Sequence, residues 1–240
     1  MTKAQKTVDI VAIVPARGGS KRLPRKNVLP LAGKPLIQWT LDAAKESEVI
    51  DLIVVTSDDE EVLAIAEQNQ VMAIRRPGYL SSDTATSVDA VLHALDALEE
   101  QGIVAKRVML LQPTSPLRRA EDIREAVKRM DVCRAASVVS VCEMDHSPLW
   151  SNTLPENGSM DDFIRPEVVG KRSQDLPQYY RLNGAVYLVD TNIFRQKESF
   201  FVSPCNSLLM EKSFSQDIDD KKDFLFTEFL LSSIVSDLRW

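Results

Sequence analysis

The segment Ile10-Val-Ala-Ile-Val14, closed by Pro15, decides the fold. An unbroken apolar run rich in β-branched residues is typical of a strand buried on both faces, as the strands of parallel sheets are. A polar loop follows at 16–34. Pro35 then suits the first turn of a helix, and helical spacing of apolar residues extends over Leu36–Glu46. The chain therefore opens with a strand, a long polar loop and a helix.

The same alternation continues along the chain. Further strands are predicted at 52–56, 71–75, 107–111, 136–142 and 185–189, and further helices at 59–69, 84–101, 120–131 and 220–238. Ser57 and Asp58 are predicted to cap the helix at 59–69. This order predicts one α/β domain over residues 1–240, built on a doubly wound, mostly parallel, Rossmann-like nucleotide-binding sheet. Ligands of such sheets bind beyond the carboxyl ends of the strands, so the loops there are the expected site.

The segment 143–180 breaks the alternation. It is rich in Pro, Asn, Asp, Ser and Arg and carries scattered aromatic residues. Loops of this length in a compact domain usually bind a ligand or a partner. Its apolar residues and cations have no obvious place in a regular helix or strand. We predict an inserted dimerisation arm, and hence a homodimer or a dimer of dimers.

The loop after the first strand carries the strongest chemical signal. Gly18 and Gly19, followed by Ser20, let backbone N–H groups turn toward an anion. Guanidinium groups match phosphate oxygens, and an ammonium group acts as a point charge. The cations within this loop are Arg17, Lys21, Arg22, Arg25 and Lys26. We interpret the loop as a triphosphate cradle, distinct from the P-loop and dinucleotide motifs. A solvated basic loop is the alternative.

Charge and composition narrow the classes of function. The net charge is −6, which argues against a general nucleic-acid-binding protein because such proteins usually present a broad basic face. No apolar run reaches the roughly 18 residues of a membrane span, and the first residues lack the apolar stretch of a secretory signal. Cys133, Cys142 and Cys205 are odd in number and widely spaced, as free thiols in a reducing compartment are. We expect a cytoplasmic protein with no nucleic-acid or membrane partner.

Five segments, in order, resemble the acylneuraminate cytidylyltransferases, the CMP-sialic acid synthetases. The first is Ala-Arg-Gly-Gly-Ser-Lys-Arg-Leu-Pro-Arg-Lys-Asn at 16–27. The others are Arg76-Pro with Ser-Asp-Thr-Ala-Thr-Ser at 82–87, Leu-Gln-Pro-Thr-Ser-Pro-Leu-Arg at 111–118, Arg-Leu-Asn-Gly-Ala-Val-Tyr at 181–187, and Asp-Ile-Asp-Asp at 217–220. The resemblance covers nearly the whole chain. It implies a nucleotidyltransferase that moves CMP from CTP to a nonulosonic acid, with Mg²⁺ as cofactor and pyrophosphate as product, in lipopolysaccharide or capsule biosynthesis.

The resemblance also implies roles for individual residues in the nucleotide half of the site. Arg17 and Lys26 would hold phosphates, with the rest of the cradle around them. Asn27, Arg76 and Ser87 would contact the cytidine part. Arg17 and Lys26, together with the metal ligands, are the expected catalytic residues.

The metal ligands implied by the resemblance are Asp217 and Asp219. Mg²⁺ prefers oxygen ligands and is usually held by one or two carboxylates together with phosphates. In extended backbone an i, i+2 spacing places both carboxylates on one side. The alternative is that Asp219 or Asp220 caps the final helix, and the two roles are compatible.

For the sugar acid, the resemblance implies that Gln112 faces the substrate and that Tyr187, Phe200 and Phe201 wall the pocket for the N-acyl group. Arg172 of the arm would reach the sugar-acid site of a neighbouring subunit. Taken alone, each of these residues has an ordinary alternative. Gln112 would be a strand-end amide, Ser87 a polar residue in a helix first turn, and the aromatic residues would be core.

The identity of the sugar acid stays open. Within the resemblance, the segment Leu-Gln-Pro-Thr-Ser-Pro at 111–116 favours N-acetylneuraminate or a close relative such as legionaminate. The alternatives are 3-deoxy-manno-octulosonate and pseudaminate, or a non-catalytic nucleotide-binding relative. Trp150 stands where some members of the family carry Lys. His146 of the arm is a weak candidate for contacting the sugar, and His93 is expected to be structural.

Overall fold

The computed structural model describes residues 5–82 and 84–237, and side chains up to residue 233. One sheet contains seven strands: β1 (Lys6–Pro15), β4 (Leu52–Ser57), β5 (Met72–Arg75), β6 (Ile103–Leu110), β7 (Ser137–Glu143), β8 (Tyr180–Asp190) and β9 (Cys205–Leu209). Two short strands, β2 (Pro30–Leu31) and β3 (Lys34–Pro35), form a small antiparallel pair in the loop after β1. The helices are α1 (Leu36–Glu46), α2 (Glu60–Gln68), α3 (Ser87–Glu100), α4 (Ala120–Cys133), α5 (Thr191–Lys197) and α6 (Lys221–Asp237).

The strand order is β5-β4-β1-β6-β8-β7-β9, which confirms the predicted α/β sheet. Neighbouring strands are parallel from β5 to β6 and again between β7 and β9. Strand β8 is antiparallel to both of its neighbours. The chain leaves β1 toward β4 on one side, whereas β6 lies on the other. Such a switch point opens a crevice at the carboxyl ends of the two central strands.

Helices cover both faces of the sheet, as expected for a doubly wound fold. Alternate residues of β1 point to opposite faces, because side chains alternate along a strand. Ala12 and Val14 pack in the core shared with α1, α2 and α4, whereas Val11 and Ile13 pack in the core shared with α3 and α5. All four residues have no exposed surface. The run that predicted a strand buried on both faces is therefore at the centre of the molecule.

Most predicted elements are present, with shifted ends. The predicted caps Ser57 and Asp58 were wrong, because Asp59 accepts hydrogen bonds from the backbone N–H of Glu61 and Val62 at the start of α2. Helix α3 begins at residue 87 rather than 84, since Thr86 is its N-cap. The predicted helix at 220–238 ends in a residue outside the described part of the chain. Helix α5 and strand β9 were missed because both are short and carry no clear apolar period.

Residues 144–179, all described, connect β7 to β8 without an α-helix or a strand. Three short 3₁₀ turns occur there, at Pro148–Trp150, Pro166–Val168 and Ser173–Asp175. Strands β7 and β8 are antiparallel neighbours, so the arm leaves and re-enters the sheet at one end. Within the described residues, no helix has the length and apolar character that crossing a membrane requires.

Candidate active site

A cleft of about 300 Å³ opens at the carboxyl ends of β1 and β6. Loops after β1, β5 and β6, the start of α3 and the segment before α6 all contribute to it. Its lining residues are Pro15, Arg17, Lys26, Asn27, Arg76, Ala85, Thr86, Ser87, Gln112, Pro113, Thr114, Asp217 and Asp219. A second cavity of about 310 Å³ shares Arg17, Lys26, Asn27 and Asp219 and adds Ser20, Lys21 and Arg22. The structure thus brings together most of the residues that the sequence indicated.

Arg17 connects two of the loops around the cleft. Its Nη1 donates to the carbonyl oxygen of Ser82 at 2.9 Å, across to the loop before α3. Its own carbonyl oxygen accepts from Nδ2 of Asn27 at 2.9 Å. Asn27 is buried, and its Oδ1 has no hydrogen-bond partner among the described residues. Because buried polar atoms are usually paired, this acceptor is suited to a ligand.

Arg76 follows β5 and is buried at the side of the cleft, with 6% of its surface exposed. Its backbone N–H donates to Ser57, but Nε and Nη2 of its side chain have no partner among the described residues. Burial lowers the pKa of Arg76, although the negative charge of Asp58 acts to raise it. A buried guanidinium with free donors beside a cleft is suited to bind a polar or anionic group.

Lys26 is tied to the segment that carries the aspartates. Its Nζ donates to the carbonyl oxygen of Ile218 at 2.7 Å and lies 3.9 Å from Oδ1 of Asp219. Ile218 is also bonded to the loop after β6, because its backbone N–H donates to the carbonyl oxygen of Thr114 at 2.8 Å. Burial lowers the pKa of Lys26, whereas Asp219 and Asp217 act to raise it. Lys26 therefore joins the basic loop to the acidic segment.

Asp217 is a half-buried carboxylate on the wall of the cleft. Burial raises its pKa, and the nearby charge of Asp219 adds to this effect. The Thr114 hydroxyl donates to it and acts in the opposite direction. Its Oδ1 is buried and has no partner among the described residues. A carboxylate oxygen left in this state is suited to a cation or to a donor from a ligand.

The three aspartates before α6 divide into two roles. Asp220 accepts from the backbone N–H groups of Lys222 and Asp223, so it is the residue that caps the helix. Asp219 is half-exposed and pairs with Nη1 of Arg22 at 3.0 Å. Asp217 and Asp219 both line the cleft. Among the described residues, no group of three or more His, Cys, Asp or Glu side chains forms a metal-binding cluster.

Two residues of the cradle have partners within the chain. The N–H of Gly18 donates to Oδ1 of Asp58 at 3.0 Å, so it faces a carboxylate of the chain, and its contact with the nucleotide stays a prediction. A Cβ at Gly18 would lie 2.8 Å from Oδ2 of Asp59, so a larger residue there would require the Asp59 carboxylate to move. Arg25 points away from the cleft and pairs with Glu61 at 2.6 Å and with Asp59. The cations of the cradle are therefore the remaining four.

Ser87 and Gln112 both line the cleft. Ser87 is the first residue of α3, behind a capping box in which Thr86 and Asp89 bond to each other. The start of this helix faces the cleft, where backbone N–H groups and the helix dipole favour negative charge. Gln112 is half-buried just beyond the end of β6. Both residues are placed where a bound ligand would meet them.

The three aromatic residues form one cluster. The ring of Tyr187 lies 5.4 Å from that of Phe200 and 6.4 Å from that of Phe201. Phe200 is 5% exposed and packs on Phe194 in the core, whereas Phe201 is 56% exposed. Burial, followed by the charge of Asp217, raises the pKa of Tyr187. Tyr187 therefore lies near the aspartates, and Phe200 supports it from the core.

The residues of the arm are not brought to this cleft within one chain. Arg172 is exposed, and its Nε pairs with Asp175 at 3.2 Å. Trp150 ends a 3₁₀ turn and is half-buried, and His146 is exposed. His93 lies within α3, and its Nδ1 is buried without a partner among the described residues. Arg172 does not line the cleft of its own chain, and its contact with the sugar acid of a neighbouring subunit stays a prediction.

Two residues of the site were missed in the sequence. Thr114 lines the cleft and bonds to Asp217, and Asp58 bonds to Gly18 and acts on Arg76. Thr114 lies within the segment at 111–118, and Asp58 follows a predicted strand. Their position after strands was a usable signal. Their partners are distant in sequence, so their roles were not visible there.

The fold and the cleft define a doubly wound α/β protein of the nucleotide-binding class. The chain belongs to the cytidylyltransferase family, whose model matches residues 11–225. An N-acylneuraminate cytidylyltransferase of Streptococcus agalactiae serotype III is 37% identical over 217 residues, which are 90% of this chain and 51% of that protein. The CMP-N,N'-diacetyllegionaminic acid synthase of Legionella pneumophila is 36% identical over 230 residues, or 92% of this chain and 96% of that protein. The family indicated by the five segments is confirmed.

A solved structure of a CMP:2-keto-3-deoxy-manno-octonic acid synthetase in complex with CTP has the same fold. The TM-score is 0.71 at 18% identity, and the match covers 94% of this chain and 99% of that chain. At that identity the likeness concerns the fold alone. The chain spans about half the length of the streptococcal relative.

Proposed function

We propose that this chain transfers a cytidylyl group from CTP to a nonulosonic acid, N-acetylneuraminate or a close relative such as legionaminate, and releases pyrophosphate. One observation carries the proposal. The same cleft holds two cations, the half-buried Lys26 and the buried Arg76, and a carboxylate, Asp217, whose buried Oδ1 has no partner among the described residues. CTP and a sugar acid together bring about five negative charges, and phosphoryl-type transfer depends on positioning and neutralising such charge.

The nucleotide half of the cleft has the donors and acceptors that CTP needs. We assign the phosphates to Arg17, Lys26 and Lys21, with Ser20 beside them in the second cavity. Gly19, next to Ser20 in the chain, is assigned to the same phosphates. The cytosine base offers an amino donor and carbonyl and ring-nitrogen acceptors. The free Oδ1 of Asn27 suits that amino group, and the free donors of Arg76 suit the acceptors. Ser87 at the start of α3 contacts the cytidine part.

Mg²⁺ is the proposed cofactor, and the donor set fits it. Asp217 and Asp219 supply carboxylate oxygens, and one or two carboxylates with substrate phosphates are the usual protein environment of this ion. Oδ1 of Asp217 is buried without a partner among the described residues, which suits it to bind a cation. When bound, the ion supplies positive charge to the phosphates and the leaving pyrophosphate. Lys26 and Thr114 hold the segment between the two aspartates in place.

The sugar acid is assigned to the side of the cleft where Gln112 lies. Gln112 contacts the sugar, and Tyr187 and Phe201 wall the pocket for the N-acyl group, with Phe200 packed behind them. Arg172 of a neighbouring subunit completes the site, so the active form is a homodimer or a dimer of dimers. Trp150 lies in the arm where some relatives carry Lys, and it bears on which acid is accepted. We place the reaction in the cytoplasm, where thiols such as the free cysteines stay reduced.

In the reaction, the anomeric hydroxyl of the sugar acid attacks the α-phosphorus of CTP, the bond from that phosphorus to the pyrophosphate breaks, and the hydroxyl proton passes to water. Arg17 and Lys26 keep the phosphates in position, and Gln112 orients the acceptor. A held geometry of this kind turns an encounter of two reactants into an intramolecular step. Cations fixed in a partly buried cleft stabilise developing negative charge more than solvent does. No described side chain is assigned as an essential general base.

A pyrophosphate-release assay tests the proposal. The full chain is mixed with each of the four nucleoside triphosphates and with N-acetylneuraminate, legionaminate, pseudaminate or 3-deoxy-manno-octulosonate. We expect release with CTP and one of the first two acids, and no release from Asp217→Asn. Binding of CTP without turnover on any acid would favour the non-catalytic alternative and contradict the proposal.

A further inference from the structure

Arg118 is a buried cation whose hydrogen bonds all go to uncharged groups among the described residues. Its Nη1 donates to the carbonyl oxygens of Gln112 at 3.2 Å and Ala185 at 2.9 Å. Its Nη2 donates to Oγ1 of Thr40 at 2.7 Å, and Nε has no partner there. Burial lowers the pKa of Arg118 to about 9, although the negative charge of Asp122 acts to raise it. The charged side chain therefore connects the loop after β6, strand β8 and helix α1 by hydrogen bonds.

Burying a guanidinium without a directly bonded carboxylate costs folding free energy. The hydrogen-bond geometry of Arg118 indicates what this cost supports. Two carbonyl oxygens from different elements share Nη1, and one of them belongs to Gln112 at the cleft. Arginine alone presents several donors in a rigid plane, so it fixes these acceptors relative to one another. The backbone of Gln112 is thereby attached to β8.

Gly184 lies next to the side-chain carboxamide of Gln112. Its φ is +75°, a backbone conformation that is strained for any residue with a side chain. A Cβ added there would lie 2.9 Å from Oε1 of Gln112 and 3.5 Å from Oγ of Ser115. A contact under 3.0 Å requires one of the atoms to move. The carboxamide of Gln112 therefore occupies space that exists only because residue 184 has no side chain.

We propose that Arg118 and Gly184 are positioning residues that hold Gln112 in the orientation that contacts the sugar acid. Arg118 fixes its carbonyl oxygen, and Gly184 leaves room for its carboxamide. Both act on Gln112 through β8, since Gly184 precedes the Ala185 whose carbonyl oxygen Arg118 binds. The inference rests on the proposed function, in which Gln112 faces the sugar acid.

The first experiment is a double-mutant cycle of Gly184→Ala with Gln112→Ala. KM for the sugar acid, KM for CTP and Tm are measured for the four proteins. In the wild-type background we expect Gly184→Ala to raise KM for the sugar acid roughly tenfold and KM for CTP less than about twofold. In the Gln112→Ala background it should cause no further rise. Tm should fall in both backgrounds, because the strain at positive φ does not depend on Gln112.

A second pair of variants covers the case in which Gly184→Ala does not fold. Arg118→Lys keeps the charge, but one ammonium group does not reproduce the fork that spans the three acceptors. It should raise KM for the sugar acid roughly tenfold. The matched control, Thr40→Val, removes the acceptor of Nη2 and leaves both bonds of Nη1. It should lower Tm and leave KM for the sugar acid within about twofold.

The outcomes separate the inference from the proposed function. A wild type that releases no pyrophosphate with any of the acids overturns both. With an active wild type, the inference alone fails if Gly184→Ala raises KM equally in both backgrounds, or if CTP is affected as strongly as the acid. It also fails if Arg118→Lys changes Tm alone, or if Thr40→Val raises KM for the acid as much as Arg118→Lys does.

Discussion

The Nζ of Lys26 lies 2.7 Å from the carbonyl oxygen of Ile218, a residue 192 positions further along the chain. Ile218 is fully buried, and its N–H donates to the carbonyl oxygen of Thr114. The segment that carries Asp217 and Asp219 is therefore held from both sides. Lys26, predicted as a phosphate ligand, also determines where the two carboxylates stand.

Replacing Lys26 should consequently affect both the nucleotide and the metal. We expect Lys26→Met to raise KM for CTP and also to raise, by roughly tenfold, the Mg²⁺ concentration that gives half-maximal activity, because a buried carbonyl oxygen loses its donor. Lys21→Met is the comparison, since Lys21 lines only the second cavity. It should raise KM for CTP alone. An unchanged Mg²⁺ dependence of Lys26→Met would count against the structural part of its role.

The raised pKa of Asp217 predicts a conflict between stability and function. A carboxyl group whose pKa is raised on folding favours the native state while it is protonated, and this contribution is lost as the pH rises through the raised pKa. At neutral pH, without CTP or Mg²⁺, Asp217→Asn should therefore raise Tm by a few degrees, since about 1 kcal/mol corresponds to roughly 2–4 °C for a protein of this size. The same variant should lose turnover by orders of magnitude.

The pH dependence gives the check on this assignment. At acidic pH, below the raised pKa of Asp217, the wild-type carboxyl group is protonated, so the difference in Tm from Asp217→Asn should shrink. Asp162→Asn, in the exposed arm, is the control and should leave Tm unchanged at both pH values. A lower Tm for Asp217→Asn at neutral pH would show that the carboxylate stabilises the empty site.

Two adjacent arginines offer a matched test of nucleotide selection. Arg76 is buried at the cleft with free donors, whereas Arg75 is exposed and pairs with Glu60. The wild type should strongly prefer CTP to UTP, because a site built for the amino group leaves buried partners unpaired with uracil. Arg76→Met should reduce kcat/KM for CTP by about 10–100-fold, and Arg75→Met should leave it unchanged. Comparable rates of the wild type with CTP and UTP would contradict this assignment.

The arm allows a complementation test of a shared site. Arg172 is exposed and pairs with Asp175 of the same arm, so a second subunit can reach it. Arg172→Ala and Asp217→Asn should each be inactive. Mixed dimers contain one intact site and should recover about half of the wild-type activity per dimer.

The control for this experiment is Lys171→Ala, which changes the neighbouring exposed cation and should stay active. Subunit exchange has to be confirmed by mass measurement of differently tagged chains. If exchanged dimers remain inactive, or if the protein sediments as a monomer at the assay concentration, the shared site is wrong.

The order of strands and helices and the family were accessible from the sequence, because each depends on local patterns. A buried parallel strand is an unbroken apolar run, and 10–14 showed one. The five segments were enough to indicate the cytidylyltransferase family, now confirmed over residues 11–225. The position of the site was also accessible, since loops at the carboxyl ends of parallel strands meet at one edge.

Other features depend on contacts between distant residues, and the tertiary structure alone decided them. Arg25 and Arg22 lie in the same basic loop, yet Arg25 pairs with α2 and Arg22 with Asp219. Strand β9 pairs with β7, and its sequence carries no period of its own. Phe200 and Phe201 are neighbours of the same type, and only packing on Phe194 places the first in the core.

The same division explains the aspartates. The sequence by itself determined that acidic residues precede the last helix, and it left capping and metal binding open. In the structure Asp220 caps α6. Burial raises the pKa of Asp217, and the hydrogen bond from Thr114 lowers it. Hydrogen bonding and desolvation depend on which groups surround a side chain, and those groups come from all along the chain. Local pattern therefore determined the elements, and long-range packing decided the chemistry of the individual residues.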